Sequence, residues 1–209
     1  MHPIVDGRPD YRRVVVCMCR KEQVELDRMA AMVKLCNLPE ATAGWTFDSF
    51  EVNDQLREVY DAALQLAEEQ GIKWLTLMGD WDRGKSHLLV AVCRRWLARG
   101  KAARYAYVPL LLKELQAGFG KEGEYERLFG FFCNVPLLAL DDLGVEKRSD
   151  WAMQELDTIV DYRYVHALPL MVTTNLALDE LPPRIASRLQ RFQPGKVLSI
   201  NAPEYRLRR

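Results

Sequence analysis

Gly79-Asp80-Trp81-Asp82-Arg83-Gly84-Lys85-Ser86 fits the spacing Gly, four residues, Gly, Lys, then Ser or Thr. Its flanks decide how it is read. Trp74-Leu-Thr-Leu-Met78 runs into it as a short apolar strand, and Leu88, Leu89, Val92 and Trp96 follow on one face of a helical pattern. Strand, tight loop and helix are the setting of a phosphate-binding loop. Backbone N–H groups of the loop and the positive end of the helix then point at one anion. Lys85 is placed to neutralise terminal phosphates. The Ser86 hydroxyl is placed to take one position on Mg2+, a hard cation that prefers oxygen. A chance match in a turn-rich loop is the alternative, and these flanks disfavour it. Trp81, Asp82 and Arg83 are bulky or charged where such loops are often small. The Asp82 carboxylate opposes a polyphosphate unless Arg83 screens it or it points outward.

The 209 residues suit one domain with a small appendage. With 49% apolar and 28% charged residues the chain reads as globular. Its 29 basic and 29 acidic residues cancel, so no global field advertises nucleic acid, although a local basic patch could exist. No apolar run is long enough to cross a membrane and the first residues carry no signal segment, so the expected compartment is the cytoplasm. Five scattered cysteines argue against a disulfide framework.

Residues 1–45 read as the appendage and 46–209 as the main domain. The appendage has an expected strand at 14–16 and a helix at 21–37, with Val24, Met29, Met32, Val33 and Cys36 as its apolar positions. Cys17 and Cys19 could share a metal, but zinc wants four ligands and only Cys36 and His2 are near in sequence; two reduced thiols are the better reading. Trp45-Thr-Phe-Asp-Ser-Phe50 either packs the appendage or borders a nucleotide base. Asn53 caps a helix whose Leu56, Val59, Tyr60, Ala63 and Ala67 share a face. Further elements are a strand at 103–108, helices at 109–117 and 122–132, a helix at 149–166 and a last strand at 196–200.

Val135-Pro-Leu-Leu-Ala-Leu140 is a buried strand that ends in Asp141-Asp142. Parallel sheets bind ligands at the carboxyl ends of their strands, so this is the second half of a nucleotide site. Asp141 would hold magnesium, and Asp142 would orient or deprotonate the attacking water, the two side chains pointing in different directions along a regular strand. A third strand, Leu168-Pro-Leu-Met-Val172, brings Thr173-Thr174-Asn175 to the same edge. Asn175 could bond the γ-phosphate or the water, or simply cap a turn.

These residues resemble the DnaC/DnaI-type helicase loaders and the related IstB transposition ATPases, which are AAA+ P-loop NTPases. The matching segments are Thr46-Phe-Asp-Ser-Phe50, Gly84-Lys-Ser-His-Leu88, Leu140-Asp-Asp-Leu-Gly-Val-Glu-Lys147, Tyr162-Arg-Tyr164, Thr173-Thr-Asn-Leu176, Ile185-Ala-Ser-Arg-Leu189 and Glu204-Tyr-Arg206, in order from about residue 46 to the end. The resemblance implies an α/β fold with a five-stranded parallel sheet in the order 5-1-4-3-2, flanked by helices. It implies ATP and Mg2+ bound along residues 79–87, with His87 closing that segment. It also implies Asn175 as a sensor of the γ-phosphate, Arg188 as an arginine finger reaching a neighbour's nucleotide, and Arg206 as a second sensor. The implied activity is ATP hydrolysis coupled to loading a replicative helicase onto single-stranded DNA, with self-association placing nucleotide between subunits. A transposition helper acting with a transposase on duplex DNA is the alternative. A small-molecule phosphotransferase and a scaffold that scarcely hydrolyses ATP are more distant ones. The family's usual loop has a glycine where this chain has Asp82, and its zinc element is matched only by Cys17 and Cys19.

Overall fold

The computed structural model describes residues 4–5, 8–9, 18–145 and 149–201. The expected strand at 14–16, the side chains of Cys17 and Cys19, and Arg206 lie outside the described residues.

Five short strands form the central sheet: β1 (Trp74–Met78), β2 (Ala103–Tyr107), β3 (Leu137–Leu143), β4 (Leu170–Thr174) and β5 (Gly195–Ser199). All neighbours are parallel, in the order β2-β3-β4-β1-β5. Counted from the other edge this is the expected 5-1-4-3-2. Such a sheet is covered on both faces, which is why its strands read as continuous apolar runs. The two-residue alternation sorts those side chains between two cores. Leu75, Leu77, Leu137 and Ala139 face one cluster, while Trp74, Leu138, Leu140, Leu170 and Val172 face the other.

The first core is roofed by α1 (Met18–Cys36), α2 (Asp54–Ala67) and α3 (Lys85–Ala98), and the second by α4 (Val108–Ala117), α5 (Glu124–Asn134), α6 (Asp150–Val165) and α7 (Pro183–Arg191). Asn53 caps α2 as expected, its Oδ1 accepting from Leu56 N at 2.9 Å. Two expectations need correction. The sequence pattern puts one apolar face on α3, yet Val90, Ala91 and Cys93 are buried along with Leu88, Leu89, Val92 and Trp96. The helix lies between the sheet and the α1 and α2 layer, so it has no solvent face over most of its length. On α1 the outcome is the reverse: Met32 and Cys36 are buried, whereas Val24, Met29 and Val33 are exposed.

The Tyr162-Arg-Tyr164 segment has a structural role. The Arg163 side chain is fully buried and donates to the carbonyls of Phe132, Cys133, Val135 and Pro169, fastening the lead-ins of β3 and β4 to α6. Among the described residues no helix is long and apolar enough to cross a membrane.

Candidate nucleotide site

The site forms where β1, β3 and β4 end. Gly79 leaves β1 with φ +140°, and a Cβ there would stand 2.6 Å from the carbonyl oxygen of Ile200, so only glycine fits. Asp82 has φ +57° and Gly84 φ +87°. Asp82 therefore keeps the left-handed backbone that a glycine would hold there, a conformation that Asp tolerates better than most residues. Arg83 makes an ion pair with Asp80, its Nη2 standing 3.3 Å from Asp80 Oδ2.

Lys85 opens α3 and is buried. Its ammonium donates to the carbonyl oxygens of Gly79 and Asp80, each at 2.7 Å, and to Asn175 Oδ1 at 2.8 Å. Burial pulls its pKa down, and the carboxylates of Asp142 and Asp141 oppose that shift. Beside it, Ser86 Oγ donates to Asp141 Oδ1 at 2.8 Å. Asp141 also accepts from Thr173 Oγ1 at 2.6 Å and from Tyr105 OH at 2.9 Å.

Asp141 and Asp142 do not alternate as a regular strand would make them. The pairing of β3 with β4 slips between Leu140 and Leu143, and Asp142 adopts φ +60°. This bulge turns both acids toward the phosphate loop. Asp141 reaches Ser86, while Asp142 Oδ1 accepts from Asn175 Nδ2 at 3.0 Å. Thr173 Oγ1 holds the kink by accepting from Asp142 N at 3.0 Å. Burial raises the pKa of Asp142, as does the charge of Asp141, against the lowering effects of Lys85 and Asn175.

A cleft of about 720 Å³ opens over these groups, with Trp45, Trp81, Lys85, Ser86, Asp142 and Asn175 among its walls. His87 also borders it, but its ring is committed to the segment before α2. It stacks on Trp45 at 5.5 Å, meets Phe50 edge-on at 5.1 Å, and its Nε2 lies 2.9 Å from Thr46 O. The Trp45–Phe50 stretch thus serves packing and lining together. Arg188 is elsewhere: its Nε donates to Asp161 Oδ1 at 2.6 Å and its guanidinium covers the Tyr164 ring at 4.5 Å. Sequence reasoning missed Tyr105; nothing marks it except that residues 103–108 alternate as a strand.

The donor set suits magnesium. Ser86 and Asp141 offer oxygen, the donor that a hard cation prefers. Mg2+ is commonly held by one or two carboxylates together with phosphates and water.

A family model described as IstB-like ATP binding protein matches residues 11–186. Over 188 residues the chain is 25% identical to the replicative helicase loader DnaI of Bacillus subtilis (strain 168), covering 86% of this chain and 60% of DnaI. It is 30% identical over 170 residues to the replicative helicase loader DnaC of Escherichia coli (strain K12), covering 78% of this chain and 69% of DnaC. The chain thus spans about three-fifths of the length of DnaI. A crystal structure of the DnaC helicase loader superposes with a TM-score of 0.68 at 22% identity, over 78% of this chain and 100% of that one, so the fold is shared. From its sheet order, its phosphate loop and a family match that runs through most of its length, the chain belongs to the IstB-like ATP-binding proteins and has the AAA+ P-loop ATPase fold.

Proposed function

We propose that residues 46–209 form an ATPase that binds ATP with Mg2+ in this cleft and couples its hydrolysis to loading a replicative helicase onto single-stranded DNA in the cytoplasm. Residues 1–45 are its appendage. The observation that carries this reading is the convergence of Lys85, Ser86, Asp141, Asp142 and Asn175, from three strand ends, on one set of hydrogen bonds. Helicase loading rests on the names of the relatives.

Each side chain has a defined task. Lys85 exchanges its carbonyl partners for phosphate oxygens. Ser86 and Asp141 hold the metal, which supplies charge neutralisation at the phosphates. Asp142, whose raised pKa makes it a stronger base than an ordinary carboxylate, takes the proton of the attacking water. Asn175 bridges Lys85 and Asp142, and so meets both the γ-phosphate and the water. Arg188 acts on the nucleotide of a neighbouring copy.

The test combines ATP turnover with helicase delivery. The protein, its host's replicative helicase and circular single-stranded DNA are mixed with ATP, and helicase bound to the circle is counted. Parent protein should load helicase and Lys85→Ala should not. Loading that ignores ATP and Lys85 would refute the reading. Preference for duplex DNA together with a captured transposase would favour the transposition alternative.

A further inference from the structure

We propose that Tyr105 is a positioning residue for the metal-binding carboxylate: its hydroxyl fixes the rotation of Asp141 so that one oxygen is presented to the metal beside Ser86. This rests on the reading of Asp141 and Ser86 as the metal's protein ligands.

The geometry begins with register. Tyr105 on β2 pairs with Ala139 on β3, two residues before Asp141, whose own partner is Tyr107. Side chains two residues apart on a strand share a face, and a diagonal neighbour is within reach of a long aromatic side chain. Tyr105 spans that diagonal and donates to Asp141 Oδ2 at 2.9 Å. The other oxygen, Oδ1, accepts from Ser86 and Thr173. The carboxylate is thus held from both ends, with Oδ2 turned to Tyr105 and Oδ1 turned to the loop.

The two holds fall on different oxygens. Ser86, itself a candidate ligand, would offer a lone pair to the cation while its O–H bonds Oδ1. Tyr105 bonds Oδ2 and so does not compete for the oxygen beside Ser86. Both Tyr105 and Asp141 are buried, so water cannot substitute for the phenol. A tyrosine phenol, with an ordinary pKa of about 10, is a donor at neutral pH. Groups that orient a metal ligand commonly change metal affinity by about 10- to 100-fold when removed.

The experiment uses the full chain with saturating ADP and follows Mn2+ binding by electron paramagnetic resonance of the free ion. Tyr105→Phe keeps the ring and loses only the hydroxyl. It should weaken Mn2+ binding by about 10-fold and leave ADP affinity in EDTA unchanged. In an Asp141→Asn background the same exchange should cause no further loss, because there is no carboxylate to hold. Equal weakening of ADP with and without metal would show a structural role and overturn the proposal. So would Mn2+ affinity equal to the parent, or a variant whose melting curve shows it unfolded at the assay temperature. If parent protein itself binds no Mn2+ with ADP, or Asp141→Asn leaves that binding intact, the assignment of Asp141 falls, and this inference with it.

Discussion

Lys85 Nζ stands 2.8 Å from Asn175 Oδ1, so the cation of the phosphate loop is bonded to the residue that follows β4, the strand next to its own. The same Asn175 donates to Asp142, making a chain from loop cation to candidate base. An arriving triphosphate competes with Asn175 and two backbone carbonyls for Lys85. Lys85→Ala should therefore remove most ATP affinity in calorimetry. Asn175→Ala removes one competitor, so affinity should hold while turnover falls by about 10²-fold, the scale for losing one preorganised donor. An Asn175→Ala variant releasing phosphate at the parent rate would exclude the sensor role.

Asp142→Asn separates binding from chemistry. Asn tolerates the left-handed backbone at this position, so the bulge should survive. ATP affinity should be retained and turnover lost. The pH profile supplies a second reading. A base must be ionised, and Asp142 has a pKa raised by burial and by Asp141. Turnover should thus fall as pH drops through that raised value, with an acid limb at higher pH than an unperturbed aspartate would give. A parent profile with no acid limb down to the pKa of an unperturbed aspartate would refute the base assignment.

The Asp82 backbone is already that of a glycine, with φ +57°. Asp82→Gly relieves the left-handed strain, worth roughly 1 kcal/mol, and removes a charge from the mouth of the cleft. Tighter ATP binding and an unchanged or higher melting temperature are expected. Weaker binding would mean that the Asp82 side chain contributes to the bound loop.

The strands and their carboxyl ends could be read from the sequence because apolar runs stopped abruptly at Gly79, Asp141 and Thr173. Those stops put the site at the carboxyl ends of the strands. The sheet order came from the family resemblance. What escaped depended on register or on tertiary cover. The Asp141–Asp142 bulge arises from a slip against β4, and no period within β3 announces it. Tyr105 matters only because β2 lies beside β3 with Ala139 opposite it. The burial of most of α3 required knowing that α1 and α2 would lie over it, and the exposure of Val24 and Val33 followed from α1 burying its side chains only at Met32 and Cys36 among the described residues.

Arg188 offers the sharpest test of self-association. It stands on α7, its Nε bonded to Asp161 on α6 and its guanidinium over Tyr164, outside the walls of its own cleft. A finger acting on a neighbour's nucleotide must leave Asp161. The ion pair is about one-third exposed on both sides, so releasing it costs at most about 1 kcal/mol. That is small against the gain from meeting charge on a transferring phosphoryl group, about 10³-fold or more in rate. Arg188→Ala should therefore fold normally and lose turnover on that scale. Parent turnover per subunit should rise with protein concentration. Mixing Arg188→Ala with Lys85→Ala should recover activity, one variant supplying the intact nucleotide site and the other the intact arginine. Asp161→Asn frees the guanidinium without removing it, so its turnover should equal or exceed the parent at low protein concentration. If Arg188 only ties α7 to α6, both variants should show the same slight loss of melting temperature, turnover should be independent of concentration, and the mixture should recover nothing.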